Sequence, residues 1–323
     1  MKKKVLCMLL TGMLAVSMLA GCGNSNNNST ADNNGAESSN VESEKESKDT
    51  AEEAEDVATG NFDASSAIAV YSREDGSGTR GAFIELFGIE QKDESGEKVD
   101  YTTVEATITN STEVMLQSIA GDTYGIGYVS LGSLNDTVKA VTIDGAEATV
   151  DNIKAGTYGS ARPFNIATAG DVSEVAQDFI NYILSADGQA VIEGAGYIAV
   201  SDAAAFESNG AEGKIVVGGS SSVSPVMEKL IEAYKAINTG AEIELQTSDS
   251  TTGMTGTADG TLDIGMASRE LKSSEVEAGL TGTKIAMDGI AVIVNLENPT
   301  EDLAADAVRA IFMGENTEWD AIQ

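Results

Sequence analysis

The sequence contains no histidine, only two cysteines, and 19 Lys and Arg against 52 Asp and Glu, a formal net charge of −33. Without an imidazole there is no His-based metal site, no Ser-His-Asp triad and not the commonest general base. The cysteines, Cys7 and Cys22, both fall in the first 22 residues. Once a leader is cut away no pair is left for a disulfide, so the folded part must be held by its core. So large an acidic excess argues against a nucleic-acid surface and against a polybasic membrane patch. It leaves small anions open, because a few N–H dipoles and one or two arginines act at close range while distant carboxylates are screened beyond about 8 Å. After the leader, no run approaches the ~18 uninterrupted apolar residues that a spanning helix needs.

What is present begins with Lys2, Lys3 and Lys4 and a short apolar run over residues 5–19, the pattern of a secretory signal. It ends in Leu19-Ala20-Gly21-Cys22, which resembles the lipobox of bacterial lipoproteins. That resemblance implies a signal peptide over 1–22, diacylation of Cys22, and anchoring to the outer face of the cytoplasmic membrane. Residues 23–61 are largely Asn, Ser, Ala and Glu, which bury too little apolar surface to offset ordering entropy. They are expected to form a disordered acidic tether.

The remaining ~260 residues exceed the usual size of a single core, which favours two lobes. Ile215-Val216-Val217 reads as a buried strand, followed by a helix with Val223, Met227, Leu230, Ile231 and Tyr234 on one face. Ala241-Glu242-Ile243-Glu244-Leu245 alternates as a strand, and Asp263-Ile264-Gly265-Met266-Ala267 is a further short one. Ile290-Ala291-Val292-Ile293-Val294 is apolar on both faces, as a central strand would be. A helix is expected from Leu303 to Phe312, others around Phe83, Ile84 and Phe87 and over Val175, Phe179, Ile180, Ile183 and Leu184, and a strand at Ile68-Ala69-Val70. The whole is an α/β pattern of βα units.

Three turns share one design, in which a strand ends, Ser or Thr residues take the cap positions and a helix begins. They are Arg73-Glu74-Asp75-Gly76-Ser77-Gly78-Thr79-Arg80, Gly218-Gly219-Ser220-Ser221-Ser222-Val223-Ser224-Pro225, and Ser248-Asp249-Ser250-Thr251-Thr252-Gly253. A helix N-terminus has unpaired N–H groups and a partial positive charge, so each such turn can cradle an anion, although Ser, Thr and Gly cap ordinary helices as well. Three converging turns can donate to all the oxygens of one tetrahedral anion. Arg73, Arg80 and Arg269 can add full charge, and a guanidinium grips two oxygens at once.

The run from Tyr71 to Arg80 resembles the signature loop of the phosphate-binding proteins of phosphate ABC importers, a periplasmic-type substrate-binding family. The resemblance extends to Gly219-Ser220-Ser221-Ser222, Ser250-Thr251-Thr252-Gly253, the stretch from Asp263 to Arg269, Tyr124-Gly125-Ile126-Gly127-Tyr128, and Gly196-Tyr197-Ile198. It implies an α/β, two-lobed, type II periplasmic-binding-protein-like fold that captures inorganic phosphate and delivers it to ABC importer permease subunits. The implied protein is not an enzyme and has no cofactor or metal. In that family the Gly-Ser-Ser turn precedes the Arg-Glu-Asp-Gly-Ser-Gly-Thr loop, whereas here it follows, so the order looks circularly permuted. The implied lobes are 62–158 with 284–323, and 159–283, joined by a polar linker from Ser201 to Gly213, with a hinge near Arg162-Pro163 and Thr283-Lys284. A fragment of a tandem repeat, completed by partner chains, is the competing account.

Carried over residue by residue, the oxygen-binding groups fall on Arg73, Ser77, Gly78, Thr79, Ser221, Ser222, Ser250, Thr251, Ser268 and Arg269, with Asp75 bracing Arg73. Well-known members have an aspartate where this chain has Ser268, a group that accepts the proton of hydrogen phosphate and repels sulfate. Sulfate, molybdate or a sensing or scavenging role without transport therefore stay open beside phosphate import.

Overall fold

The computed structural model describes residues 62–322. The leader, Cys22 and the tether 23–61 lie outside the described residues. In chain order the elements are β1 (Ala69–Arg73), α1 (Gly78–Leu86), β2 (Glu90–Lys92), β3 (Lys98–Asp100), β4 (Thr107–Thr109), α2 (Thr112–Ala120), β5 (Gly125–Ser130), β6 (Lys139–Ala140), β7 (Thr142–Ile143), α3 (Val150–Ala155) and β8 (Ala161–Ala169). They continue with α4 (Glu174–Leu184), α5 (Ala186–Gly194), β9 (Gly213–Ser220), α6 (Ser224–Ile237), β10 (Ala241–Ser248), α7 (Ser250–Ala258), β11 (Ile264–Ala267), α8 (Ser273–Glu277), β12 (Leu280–Val294), β13 (Asp302–Leu303) and α9 (Ala305–Phe312).

One mixed sheet runs β10-β9-β11-β8-β12-β5-β1-β4, with β6 beside β12. Two parallel groups, β10/β9/β11 and β5/β1/β4, flank the antiparallel pair β8/β12. Parallel neighbours need helical crossovers, and these helices cover the sheet. The long strand β12 serves both groups: its first part pairs with β8, and Ile290–Val294 pairs with β5. The register slips between Lys284 and Ala286, where Ile285 is fully buried, a bulge that bends the strand as it passes from one half to the other.

Burial follows the same division. One hydrophobic cluster combines Phe164, Phe179, Ile183, Val217, Met227, Tyr234, Met266 and Ile285. A second combines Phe83, Ile126, Tyr128, Val292, Phe312 and Trp319. Each cluster buries the apolar stripes of the helices packed on its own group of strands.

The helix expected from Leu303 begins two residues later. Leu303 is instead in β13, paired with Ile143 and buried in the second cluster, and Ala304 has an extended backbone. Pairing and burial of Leu303 outweigh its helical preference. The segment from Ser201 to Gly213 is more tightly tied than a free polar linker. Buried Asp178 accepts from Ser208 Oγ at 2.8 Å and from Asn209 N at 3.0 Å, and the Phe206 ring packs edge-on against Tyr182. The first and last described segments are neighbours: Ile68 N donates to Thr317 O at 2.8 Å and Asp320 N to Ala64 O at 2.8 Å.

Candidate functional site

In a parallel sheet the helices begin at the carboxyl ends of the strands, and ligands settle in the crevice there. Here four helices open toward one such crevice. α1 follows β1, α2 follows β4, α6 follows β9 and α7 follows β10. Ser77 caps α1 by accepting from Arg80 N, Ser111 caps α2 from Val114 N, and Asp249 caps α7 from Thr252 N. α6 has no side-chain cap and opens with Pro at its first turn. Capping meets one of the four amides that each helix start leaves without an intrahelical partner, and two others bond across the crevice, Thr112 N to Ser221 Oγ at 3.3 Å and Thr251 N to Gly76 O at 3.1 Å.

The turns meet side chain to side chain. Thr79 Oγ1 lies 2.8 Å from Ser222 Oγ and 3.5 Å from Ser268 Oγ. Ser220 Oγ donates to Ser268 Oγ at 3.0 Å, and Ser268 N donates to Ser250 Oγ at 3.1 Å. Gly78 comes so close to the opposite half that a Cβ there would lie 2.5 Å from Ser250 Oγ and 2.7 Å from Ser268 Oγ. Arg73, Ser77, Thr79, Ser221, Ser222, Ser250 and Ser268 are all buried. So many hydroxyls removed from water need partners, and hydroxyls satisfy one another because each both donates and accepts.

Arg73 supplies the full charge. Its Nε and Nη2 donate to the two carboxylate oxygens of Glu74, each at 2.8 Å, while Nη2 also reaches Ser221 Oγ at 3.1 Å and Nη1 reaches Thr112 Oγ1 at 3.4 Å. The two-point grip fixes the plane of the guanidinium and aims its other edge at the hydroxyls. The brace is therefore Glu74 and not Asp75, whose 97% exposed side chain pairs with Arg80. Glu74 N continues the β1–β4 ladder to Thr109 O, which sets Glu74 beside Arg73, whereas Asp75 lies at the outside of the turn. Arg80 donates to Arg73 O at 2.7 Å and to Asp100 at 2.9 Å, so it supports the loop from behind.

Seven of the ten residues expected at the site, Arg73, Gly78, Thr79, Ser221, Ser222, Ser250 and Ser268, meet in this way, Ser77 is the buried cap of α1, and Thr251 and Arg269 stand apart. Those two lie at its rim. Thr251 donates through N and Oγ1 to Gly76 O, and the Arg269 guanidinium is taken by Glu275. Beside them a groove of about 480 Å³, lined in part by Gly81, Ala82, Pro163, Arg269 and Lys272, separates α1 from the β11–α8 turn.

Three further contributors were not assigned to the site from the sequence, although Tyr128 lies in one of the resemblance motifs and Arg162 at the expected hinge. Thr112 Oγ1 lies 3.2 Å from Ser222 Oγ and 3.3 Å from Ser221 Oγ, and Thr112 N donates to Ser221 Oγ at 3.3 Å. Its signal was available: Thr107-Ile108-Thr109 leads into Ser111-Thr112 as a fourth strand, hydroxyl turn and helix start. Tyr128 Oη accepts from Arg73 N at 3.1 Å and bonds Ser72 Oγ at 2.9 Å; burial pushes this phenol up. Behind Ser268 stands a buried ion pair, Arg162 Nη2 to Asp288 Oδ2 at 3.1 Å, with Arg162 Nη1 donating to Ser268 O at 3.3 Å. Burial pushes the Asp288 carboxyl up and the Arg162 guanidinium down, each against the pull of the other.

A family profile described as a PBP superfamily domain matches residues 204–322. A phosphate-binding protein PstS 2 of Streptococcus agalactiae is 48% identical over 320 residues, 98% of both chains. The crystal structure of a phosphate ABC transporter phosphate-binding protein from Streptococcus pneumoniae superposes with a TM-score of 0.63 at 44% identity, over 80% of this chain and 100% of that one. A phosphate-binding protein PstS of Bacillus subtilis is 30% identical over 138 residues, 42% of each chain. Identity near one half across the full length of two chains, with an α/β fold in common, places this chain in the family that its turns resemble, the phosphate-binding proteins of ABC importers.

Proposed function

We propose that this protein captures inorganic phosphate between two lobes and delivers it to the permease subunits of an ABC importer, held by Cys22 at the outer face of the cytoplasmic membrane. The observation that carries the reading is the convergence of four helix N-termini and the braced Arg73 on one buried patch of hydroxyls. Such a patch offers N–H and O–H donors from opposite sides, which suits a tetrahedral oxyanion. Each hydroxyl also accepts, so the set can take up the proton of hydrogen phosphate without a carboxylate at position 268. The hydroxyls bond one another and a guanidinium, an arrangement for holding oxygens rather than for activating a nucleophile.

The lobes are 62–158 with 284–323, and 159–283. The two larger hydrophobic clusters support this division, with Ile285 and Ala286 packing on the 159–283 side. Closure then bends β8 and β12 near Arg162-Pro163 and Thr283-Lys284, next to the bulge at Ile285. The permuted order is supported by the neighbouring ends of the described chain. A chain reopened within 201–213 and reconnected across the present ends should still fold and bind phosphate; failure to fold counts against the permuted order.

Calorimetric titration of the purified protein with phosphate and with sulfate, at fixed ionic strength, tests the function. The expected result is one phosphate per chain, weaker or no response to sulfate, and loss of binding in Arg73→Ala. A folded protein that binds neither anion would overturn it.

A further inference from the structure

The Gly76 carbonyl, in the turn before α1, accepts two hydrogen bonds from a single residue across the cleft, Thr251 N and Thr251 Oγ1, each at 3.1 Å. Behind Thr251, Arg269 Nη2 donates to its Oγ1 at 3.3 Å. Arg269 is itself held by Glu275 through bonds of 2.7 and 2.8 Å, and Glu275 also accepts from Lys272 N at 2.7 Å. Burial works to raise the Glu275 carboxyl, and the Arg269 pairing and the Lys272 amide outweigh it and hold it low. The chain Gly76, Thr251, Arg269, Glu275 thus joins the two halves outside the hydroxyl patch.

Chemistry separates Thr251 from its neighbour Ser250. A threonine has one amide proton and one hydroxyl proton, and both go to Gly76 O. Neither is left for an anion, while Ser250 is fully buried in the patch. Gly76 also fits the contact by lacking a side chain, since a Cβ there would lie 2.2 Å from Asp249 Oδ1, the atom that caps α7.

We propose that the Gly76–Thr251 contact, braced by Arg269 and Glu275, is a latch that sets how long the cleft stays shut, with Thr251 and Arg269 acting as positioning residues and not as anion ligands. The dwell time refers to phosphate and so rests on the function proposed above. The latch itself is a protein-to-protein contact, from the Thr251 amide and hydroxyl to the Gly76 carbonyl, that exists only while the halves meet. Each such hydrogen bond shifts the balance between closed and open by roughly 2- to 12-fold.

The test uses the full chain, rapid-mixing kinetics of inorganic phosphate, and hydrogen exchange of the residue 251 amide in phosphate-free buffer. Thr251→Val keeps the shape and the amide and removes the Oγ1 donor. Release should speed up by roughly 2- to 12-fold, with association unchanged and faster exchange at position 251. Gly76→Ala should do the same more strongly, and Arg269→Gln in the same direction more weakly. If Thr251→Val leaves release and exchange as they were, the latch is refuted. If it weakens phosphate binding while amide exchange stays unchanged, Thr251 is an anion ligand and the proposal falls. If the wild-type chain binds no phosphate, yet exchange at 251 is slow and accelerates in both Thr251→Val and Gly76→Ala, the latch stands and the phosphate reading fails.

Discussion

Gly78→Ala separates closure from folding. A methyl at Gly78 would sit 2.5 Å from Ser250 Oγ and 2.7 Å from Ser268 Oγ, both on the opposite side of the cleft. An unstrained carbon–oxygen approach is about 3.3–3.6 Å, so each overlap is roughly 0.6–1 Å. Neither oxygen is free to retreat, because Ser250 Oγ is held by Ser268 N at 3.1 Å and Ser268 Oγ by Ser220 Oγ at 3.0 Å. Overpacking of this kind costs about 1–3 kcal/mol. Against a ligand held only by the closed form, that is roughly a 5- to 150-fold loss of affinity at about 1.4 kcal/mol per decade. The same substitution favours the fold of the unliganded chain. Gly78 opens α1 without a positive φ, and alanine in a helix gains about 0.5–1 kcal/mol over glycine. Calorimetric titration with phosphate should therefore weaken, while the thermal midpoint without phosphate stays level or rises by a few degrees. Wild-type affinity in Gly78→Ala would refute the closed geometry; a parallel loss of affinity and stability would show that the methyl disturbs α1 instead.

Thr112→Val removes the hydroxyl that meets Ser221, Ser222 and Arg73, and should weaken phosphate binding by roughly 5- to 30-fold in the same titration, for about 1–2 kcal/mol. Asp288→Asn leaves Arg162 charged and buried without its counterion, and should lower stability to denaturant by about 3–5 kcal/mol. Replacing both residues by apolar ones of similar size should recover most of that loss, and a double variant as unstable as the single one would contradict the pairing. Burial works to raise the Asp178 carboxyl, but Asn209 N–H and the Ser208 and Tyr234 hydroxyls outweigh it and hold it below its usual value. The stability it contributes is then full above about pH 4 and lost as the pH falls through the lowered native value. Unfolding followed against pH should show a shallower acid limb in Asp178→Asn.

The sequence made the turns legible because capping is local. Ser77 and Asp249 each bond an amide three residues ahead, and a strand that ends in such a residue announces the helix that follows. The fourth turn at Ser111-Thr112 obeys the same rule, but β4 is only three residues long and two of them are exposed, so its apolar pattern was too weak to mark it as a strand. Periodicity found the central run Ile290–Val294, though not that it continues back to Leu280. That extension is decided by pairing with β8, whose residues lie more than a hundred positions away. The roles of side chains within a turn were less legible still. Glu74 and Asp75 are adjacent carboxylates, and only the ladder bond from Glu74 N to Thr109 O decides which of them meets Arg73. Ser250 and Thr251 are adjacent hydroxyls, and only the position of Gly76 O across the cleft decides that one joins the patch and the other spans it. In the first pair the residue type read from the sequence was right for bracing a guanidinium, and in the second for cradling an oxyanion. The partner that takes each proton belongs to another element, brought there by the order of strands in the sheet, so the cradle could be read from local pattern while its brace and its latch could be read only from the fold.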